Sequence, residues 1–158
     1  MLRRLPLTIL LLGSTLLAQK YNGPRPPKPD IPYLLHADNL VEPEVGEAKE
    51  QNKKDEITYV ISGASSSVKT PLASPIFLLQ ADKLTPEKLQ LFKLETKNGQ
   101  REVQFSRKKK QTAKPHRLSF TRLTSDNLYR IEVDESLENG EYSLTPDGTN
   151  QVFCFQVF

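Results

Sequence analysis

Asn98-Gly99 constrains the fold of this chain more than any other pair of residues. Both residues accept the positive φ angles of a two-residue type I′ turn, so the segments on either side, Leu89–Lys97 and Gln100–Ser106, read as the arms of a tight antiparallel hairpin. The same short-segment pattern recurs along the chain. Residues 57–62 (ITYVIS) are rich in β-branched and aromatic side chains and stop at Gly63 and a serine run. Residues 117–123, 128–134, 141–144 and 151–157 alternate apolar with polar side chains, separated by turn formers such as Asp126-Asn127 and Pro146-Asp147-Gly148.

Residues 33–37 read as the first strand, with Leu40-Val41 extending it past a kink at Asp38-Asn39. Pro75 opens the continuous apolar run Ile76-Phe77-Leu78-Leu79, which predicts a strand covered on both faces. Thr85-Pro86-Glu87 predicts a single helical turn, because proline suits the first helical position. Residues 42–56 (EPEVGEAKEQNKKDE) have no apolar face and read as an exposed helical turn or loop. About eight short strands with almost no helix imply an all-β fold, an antiparallel sandwich of Greek-key, immunoglobulin-like type. Leu137-Glu138-Asn139-Gly140-Glu141-Tyr142 resembles the L-x-P-G-x-Y tyrosine corner of such sandwiches. In that corner glycine turns the chain and the tyrosine hydroxyl bonds back to the backbone upstream, so Leu137, Gly140 and Tyr142 are expected to be structural.

The first eighteen residues stand apart. Arg3 and Arg4 precede an apolar stretch from residue 5 to residue 12, then Gly13-Ser14-Thr15 and Leu16-Leu17-Ala18, the layout of a secretory signal peptide cut after Ala18. The stretch is too short for a spanning helix, which needs about 20 apolar residues. The domain reading is therefore a signal peptide at 1–18, a proline-rich linker at 19–32 that acts as a spacer or tether, and a single β-sandwich at 33–158. The expected location is periplasmic or extracellular, reached by the general secretory route. Losing Arg3 and Arg4 leaves 20 basic residues of 22 against 19 acids, a net charge of +1. With 26% charged residues overall, an integral membrane bundle is excluded. The tracts TYVISGASSSVKTPLASPIFLLQ, LYRIEVDESLENGEY and VFCFQVF are similar to those of small exported bacterial proteins of unknown function. The resemblance implies export and a bacterial source and brings no catalytic motif.

The chemistry is sparse. His36 and His116 are the only histidines and form no metal-binding pair. The sequence has no nucleophile elbow, phosphate-binding loop or dinucleotide fingerprint, so neither catalytic residues nor cofactors are assigned. Glu132 and Asp134, on one face of one strand, are the carboxylates a small hydrolase would need, although one strand face does not flank a substrate. Asp147-Gly148-Thr149-Asn150 has too few oxygens for a calcium loop and reads as a turn. Cys154, the single cysteine, reads as a partly buried thiol, with Phe153, Phe155 and Val157 on the opposite face.

Charge supplies the one functional lean. Arg107, Lys108, Lys109, Lys110, Lys114 and Arg117 concentrate positive charge in eleven residues of an otherwise balanced chain. Without interleaved aromatics this run does not suggest nucleic acid. The leading expectation is an exported, non-enzymatic interaction or accessory protein of the bacterial envelope with an unknown protein partner. The second is a binder of anionic envelope polymers or lipid headgroups through 107–117, and the third is a small carboxylate-dependent hydrolase.

Overall fold

Thirteen strands follow one another in the computed structural model, which describes residues 20–108 and 112–158. The expected signal segment 1–18, with Lys109 and Lys110 of the basic run, lies outside the described residues. The strands β1 (Tyr33–His36), β2 (Asn39–Val41), β3 (Glu44–Glu47), β4 (Lys49–Lys53) and β5 (Glu56–Ser62) precede the short β6 (Lys69–Thr70) and β7 (Ile76–Gln80). A 3-10 turn at Pro86–Lys88 leads into β8 (Leu89–Lys97), β9 (Gln100–Ser106), β10 (Leu118–Arg122), β11 (Leu128–Val133), β12 (Gly140–Pro146) and β13 (Gln151–Val157). Asn98 and Gly99 take φ angles of 51° and 73°, as the hairpin between β8 and β9 requires.

The strands form an all-β sandwich of antiparallel sheets. One sheet has the order β10-β11-β7-β1-β2; the other runs β3-β13-β12-β8-β9-β5-β4, with β6 added alongside β13 as the one parallel pairing. Their facing sides make the main core. Leu34, Phe77, Leu79, Ile131 and Val133 of the first sheet pack on Leu91, Tyr142, Leu144, Phe153 and Phe155 of the second. Phe77 and Phe155 meet edge to face with ring centres 5.4 Å apart, a favoured aromatic geometry. In β7, Phe77, Leu78 and Leu79 are all buried, so the apolar run is covered on both faces.

Two sequence expectations change here. Leu40-Val41 does not extend the first strand: Ala37, at φ 54°, turns the chain back, and β2 pairs antiparallel with β1. The polar stretch 42–56 is neither helix nor loop, because 44–53 forms a continuous ribbon interrupted only at Ala48. Its first half hydrogen-bonds to β13 and its second half to β5, so the eight-stranded sheet closes on itself. The reason lies in the backbone. Edge positions satisfy main-chain groups whatever the side chains are, and a polar ribbon can close a ring while keeping its long side chains in water.

Closure creates a second interior on the far side of β8, β12 and β13. Ala48, Ile61, Leu94, Val152 and Cys154 fill it, with Tyr59 and Val103 packed against them. These three central strands therefore have a core on each face, which explains the fully buried runs 141–144 and 152–155.

The described part of the proline-rich segment does not hang free as a spacer. Arg25 pairs with Asp126 of the β10–β11 turn at 3.0 Å, and Lys28 pairs with Glu42, just past β2, at 2.9 Å, both at the same end of the five-stranded sheet. The Asp30 carboxylate accepts the amides of Asp82, Lys83 and Leu84 at 2.8 to 3.0 Å. The arm thus runs along that end of the sheet, where Tyr33 and Leu78 are buried.

Tyr142 is fully buried, and its hydroxyl donates to the Glu138 carbonyl at 2.8 Å. Gly140 has a φ of 155°, and a side chain there would meet the Lys93 stem at 3.3 Å. Tyr142→Phe removes only that hydroxyl bond and is expected to cost about 1 kcal/mol. A lower urea midpoint with an unchanged denaturant slope is the readout.

Candidate functional site

Each strand of the closed ring turns alternate residues inward, so the parity of the sequence decides what lines the interior. On β5 the inward series is Ile57, Tyr59, Ile61; on β9 it is Phe105, Val103, Arg101, read from the same end. β8 contributes Phe92 and Leu94, and β13 contributes Val152 and Cys154. The two ends of the ring therefore differ, apolar at Ile57 and Phe105 and ionic at Arg101.

The ionic end is closed. Arg101 has no exposed surface and makes a two-pronged contact with Glu44, Nη1 to Oε2 at 2.9 Å and Nη2 to Oε1 at 2.7 Å. It also donates through Nε to the Gly63 carbonyl at 2.9 Å and through Nη2 to the Ser62 carbonyl at 2.7 Å. Glu141 stands 3.8 Å from the guanidinium and accepts the Ser65 hydroxyl at 2.8 Å and the Ser66 amide at 2.9 Å. Burial alone would raise the Glu44 carboxyl, but the bonds from Arg101 and Ser66 outweigh it and hold that carboxyl below its ordinary value. Cys154 is completely buried beside this cluster, more so than its sequence suggests, and burial pushes its thiol up to about 12. A thiol so placed is inert as a nucleophile.

The apolar end is open. A cavity of about 240 Å³ is lined by Ile57, Tyr59 and Phe105 of β5 and β9, by Phe92 of β8, whose ring meets Phe105 edge to face at 5.2 Å, and by Thr145 and Val152. The exposed β12–β13 turn, from Asp147 to Asn150, lies at its mouth. Gly148 at φ 77° and the Thr149 amide bonded to the Pro146 carbonyl at 3.2 Å make this segment a turn. Above Ile57 and Phe105 the β4–β5 turn carries Lys53 and Lys54, and Arg107 docks on it through its amide to the Asp55 carbonyl at 2.8 Å. The lining is two apolar walls and a polar lip, suited to holding an apolar group.

The residues singled out in the basic run fall on different supports. Arg107 and Lys108 are exposed at the mouth end, and Lys108 lies 3.5 Å from Asp55. The chain then crosses the fork where β8 and β9 part, with Ala113 donating to the Gln104 carbonyl and His116 to the Leu91 carbonyl. Beneath Thr112 and Ala113 lies a polar cleft edged by Lys93, Glu95 and Glu102, so its walls carry both signs of charge. At the far end Glu135 takes the His116 imidazole at 2.9 Å and the Arg117 amide at 3.2 Å, and these bonds hold its carboxyl below its ordinary value. Lys114 and Arg117 are exposed.

The acid pair is not brought to the cavity. Glu132 is engaged by Arg130 at 2.9 Å and Asp134 by the Ser119 hydroxyl at 2.7 Å, both on the five-stranded sheet. Among the described residues no three His, Cys, Asp or Glu side chains gather to hold a metal ion, and no helix is long and apolar enough to cross a membrane. Sequence reading missed the cavity because only the run Ile76–Leu79 was assigned two buried faces and the strands that line the cavity were not. The available signal was the apolar second parity, Phe92 and Leu94 on either side of Lys93, and Ile57, Tyr59 and Ile61 within ITYVIS. No protein-family model matches the chain, and no curated protein or solved structure matches it.

The Glu44 carboxylate links the ionic end to pH. Its folded-state value lies below the ordinary 4.5, so the stability it contributes is present above that value and disappears as pH falls through the folded one. Glu44→Gln is expected to be less stable than the parent at pH 7 and to lose less stability between pH 5 and 3. Chemical denaturation across that range measures both differences.

Proposed function

We propose that the protein is an exported, non-enzymatic module of the bacterial envelope that works by binding, and that its binding element is the apolar mouth of the closed sheet. The cavity lined by Phe92, Phe105 and Val152 is the observation that carries this reading. Concave apolar sites with a few polar groups at the lip are where small ligands and partner side chains bind. Its size sets the scale of the ligand. At about 240 Å³ it exceeds the ~150 Å³ apolar cavities that take a benzene-sized guest and falls short of the ~300 Å³ where drug-sized pockets begin. A short apolar chain fits.

The non-catalytic part of the reading is supported by the positions of Glu132 and Asp134, away from the cavity, and by the inert Cys154. Export is supported by the layout of residues 1–18. Expressed from its full sequence in bacteria, the protein is expected outside the cytosol with Gln19 as its first residue. Recovery from the cytosol with Arg3 and Arg4 still attached would defeat the export reading.

For the binding element, 1-octanol is the neutral probe. Titration into the 15N-labelled protein is expected to give saturable amide shifts around Ile57, Phe92 and Phe105. Thr145→Trp, which fills the mouth, should abolish them, and Gln90→Phe provides a second block from the neighbouring strand, where Gln90 pairs with Thr145. Shifts that do not saturate, or that survive both blocks, would overturn the assignment.

A further inference from the structure

The cavity and the basic residues beside it belong to one site, and this inference rests on the cavity being the binding element. Ile57 and Phe105 pair across β5 and β9 as the outermost apolar rung of the ring. The next rung outward is Glu56 with Ser106, and beyond it come the β4–β5 turn and Arg107, joined by the Arg107 amide to the Asp55 carbonyl at 2.8 Å. Three exposed cations, Lys54, Arg107 and Lys108, therefore stand within a few residues of the cavity's apolar rim.

The acids on that side are already engaged, beginning with Glu50, which pairs across from Tyr59 and accepts the Asn52 side-chain amide at 2.7 Å. Asp55 lies 3.5 Å from the Lys108 ammonium, and Glu56 accepts the Gln104 side-chain amide at 2.6 Å. On the opposite wall Asp147 is set beside Lys88, whose carbonyl receives the Asp147 amide at 2.8 Å. Arg107 also continues the inward parity of Arg101, Val103 and Phe105, one step past the end of β9.

We infer that this end of the ring binds a single-chain anionic amphiphile: a short acyl or alkyl chain enters the cavity beside the contacting rings of Phe105 and Phe92, and its carboxylate or phosphate head rests against Lys54, Arg107 and Lys108. The two parts need each other. The cavity is too small for a chain alone to bind tightly, and exposed cations alone hold small anions weakly at physiological salt. Joined on one molecule, the hydrophobic and charged contacts add without a second loss of translational freedom. Two-chain phospholipids exceed the cavity, so the ligand class is the fatty acid, its single-chain phosphate analogue, or a lone acyl tail of a larger anionic lipid.

Octanoate, octyl phosphate, 1-octanol and octyltrimethylammonium share one chain and differ in the head, so calorimetric or amide-shift titration with the four isolates the charge. Octanoate and octyl phosphate are expected to bind about fivefold or more tighter than octanol, and octyltrimethylammonium more weakly than octanol. The anion preference should shrink in 0.5 M NaCl, where charges on the surface are screened. In the Lys54→Gln, Arg107→Gln, Lys108→Gln triple variant octanoate should fall to the affinity of octanol, with octanol itself unchanged. Acetate and inorganic phosphate, heads without chains, should not produce the cavity shifts.

Equal binding of octanoate and octyltrimethylammonium would overturn the inference, as would acetate matching octanoate. Octanol binding with no preference among heads removes this inference and leaves the cavity as the binding element. If octanol fails to enter the cavity at all, both readings fall.

Discussion

The closed sheet depends on one buried guanidinium. Moving a charged group out of water costs several kcal/mol even after relaxation, so Arg101 is tolerable at zero exposure only because its donors are met. Two go to Glu44 on β3 and the others to the carbonyls that end β5, while Glu141 of β12 adds negative potential and anchors Ser65 and Ser66 over the cluster. Those partners come from the elements that must meet for the ribbon 44–53 to join β13 to β5. The ion pair therefore acts where the ring would otherwise open. A geometry that leaves no buried side-chain polar atom unpaired among the described residues is the condition under which such a cluster fixes one arrangement rather than several.

How much of this was legible in the sequence follows from what side chains do and do not encode. The Asn98-Gly99 hairpin, the covered strand at Ile76–Gln80 and the alternation of Phe153 and Phe155 against Cys154 could all be read, because turn chemistry and period-two burial are local. The ribbon 44–53 could not, since its role is carried by main-chain groups and its side chains include only Gly46 and Ala48 as small inward contacts. Arg101 looked like any hairpin residue. Its partner Glu44 is 57 positions away, and nothing short of the closed topology brings them together. The cavity went unseen for a related reason: strands with a core on each face lose the alternation that reveals which face is which. The basic run was visible as charge, but only the structure separates Arg107 and Lys108 at the mouth from Arg117 beside Glu135.

The two walls of the cavity have different mechanical backing. Phe92, Thr145 and Val152 alternate along their strands with Leu91, Leu144 and Phe153, which are locked into the main core between the sheets. A displacement of that wall has to disturb close-packed side chains on its other face, so it keeps its shape. The wall formed by β5 and β9 has no second sheet behind it, and it sends Glu56, Ser62 and Gln104 to solvent. Its opening costs less, because fewer buried contacts are lost when it moves. A guest entering at Ile57 and Phe105 therefore meets one rigid surface that sets the depth and shape it can adopt, and one compliant surface that can follow it. The exposed cations Lys54, Arg107 and Lys108 sit on the less strongly backed side, at the β4–β5 turn and the end of β9.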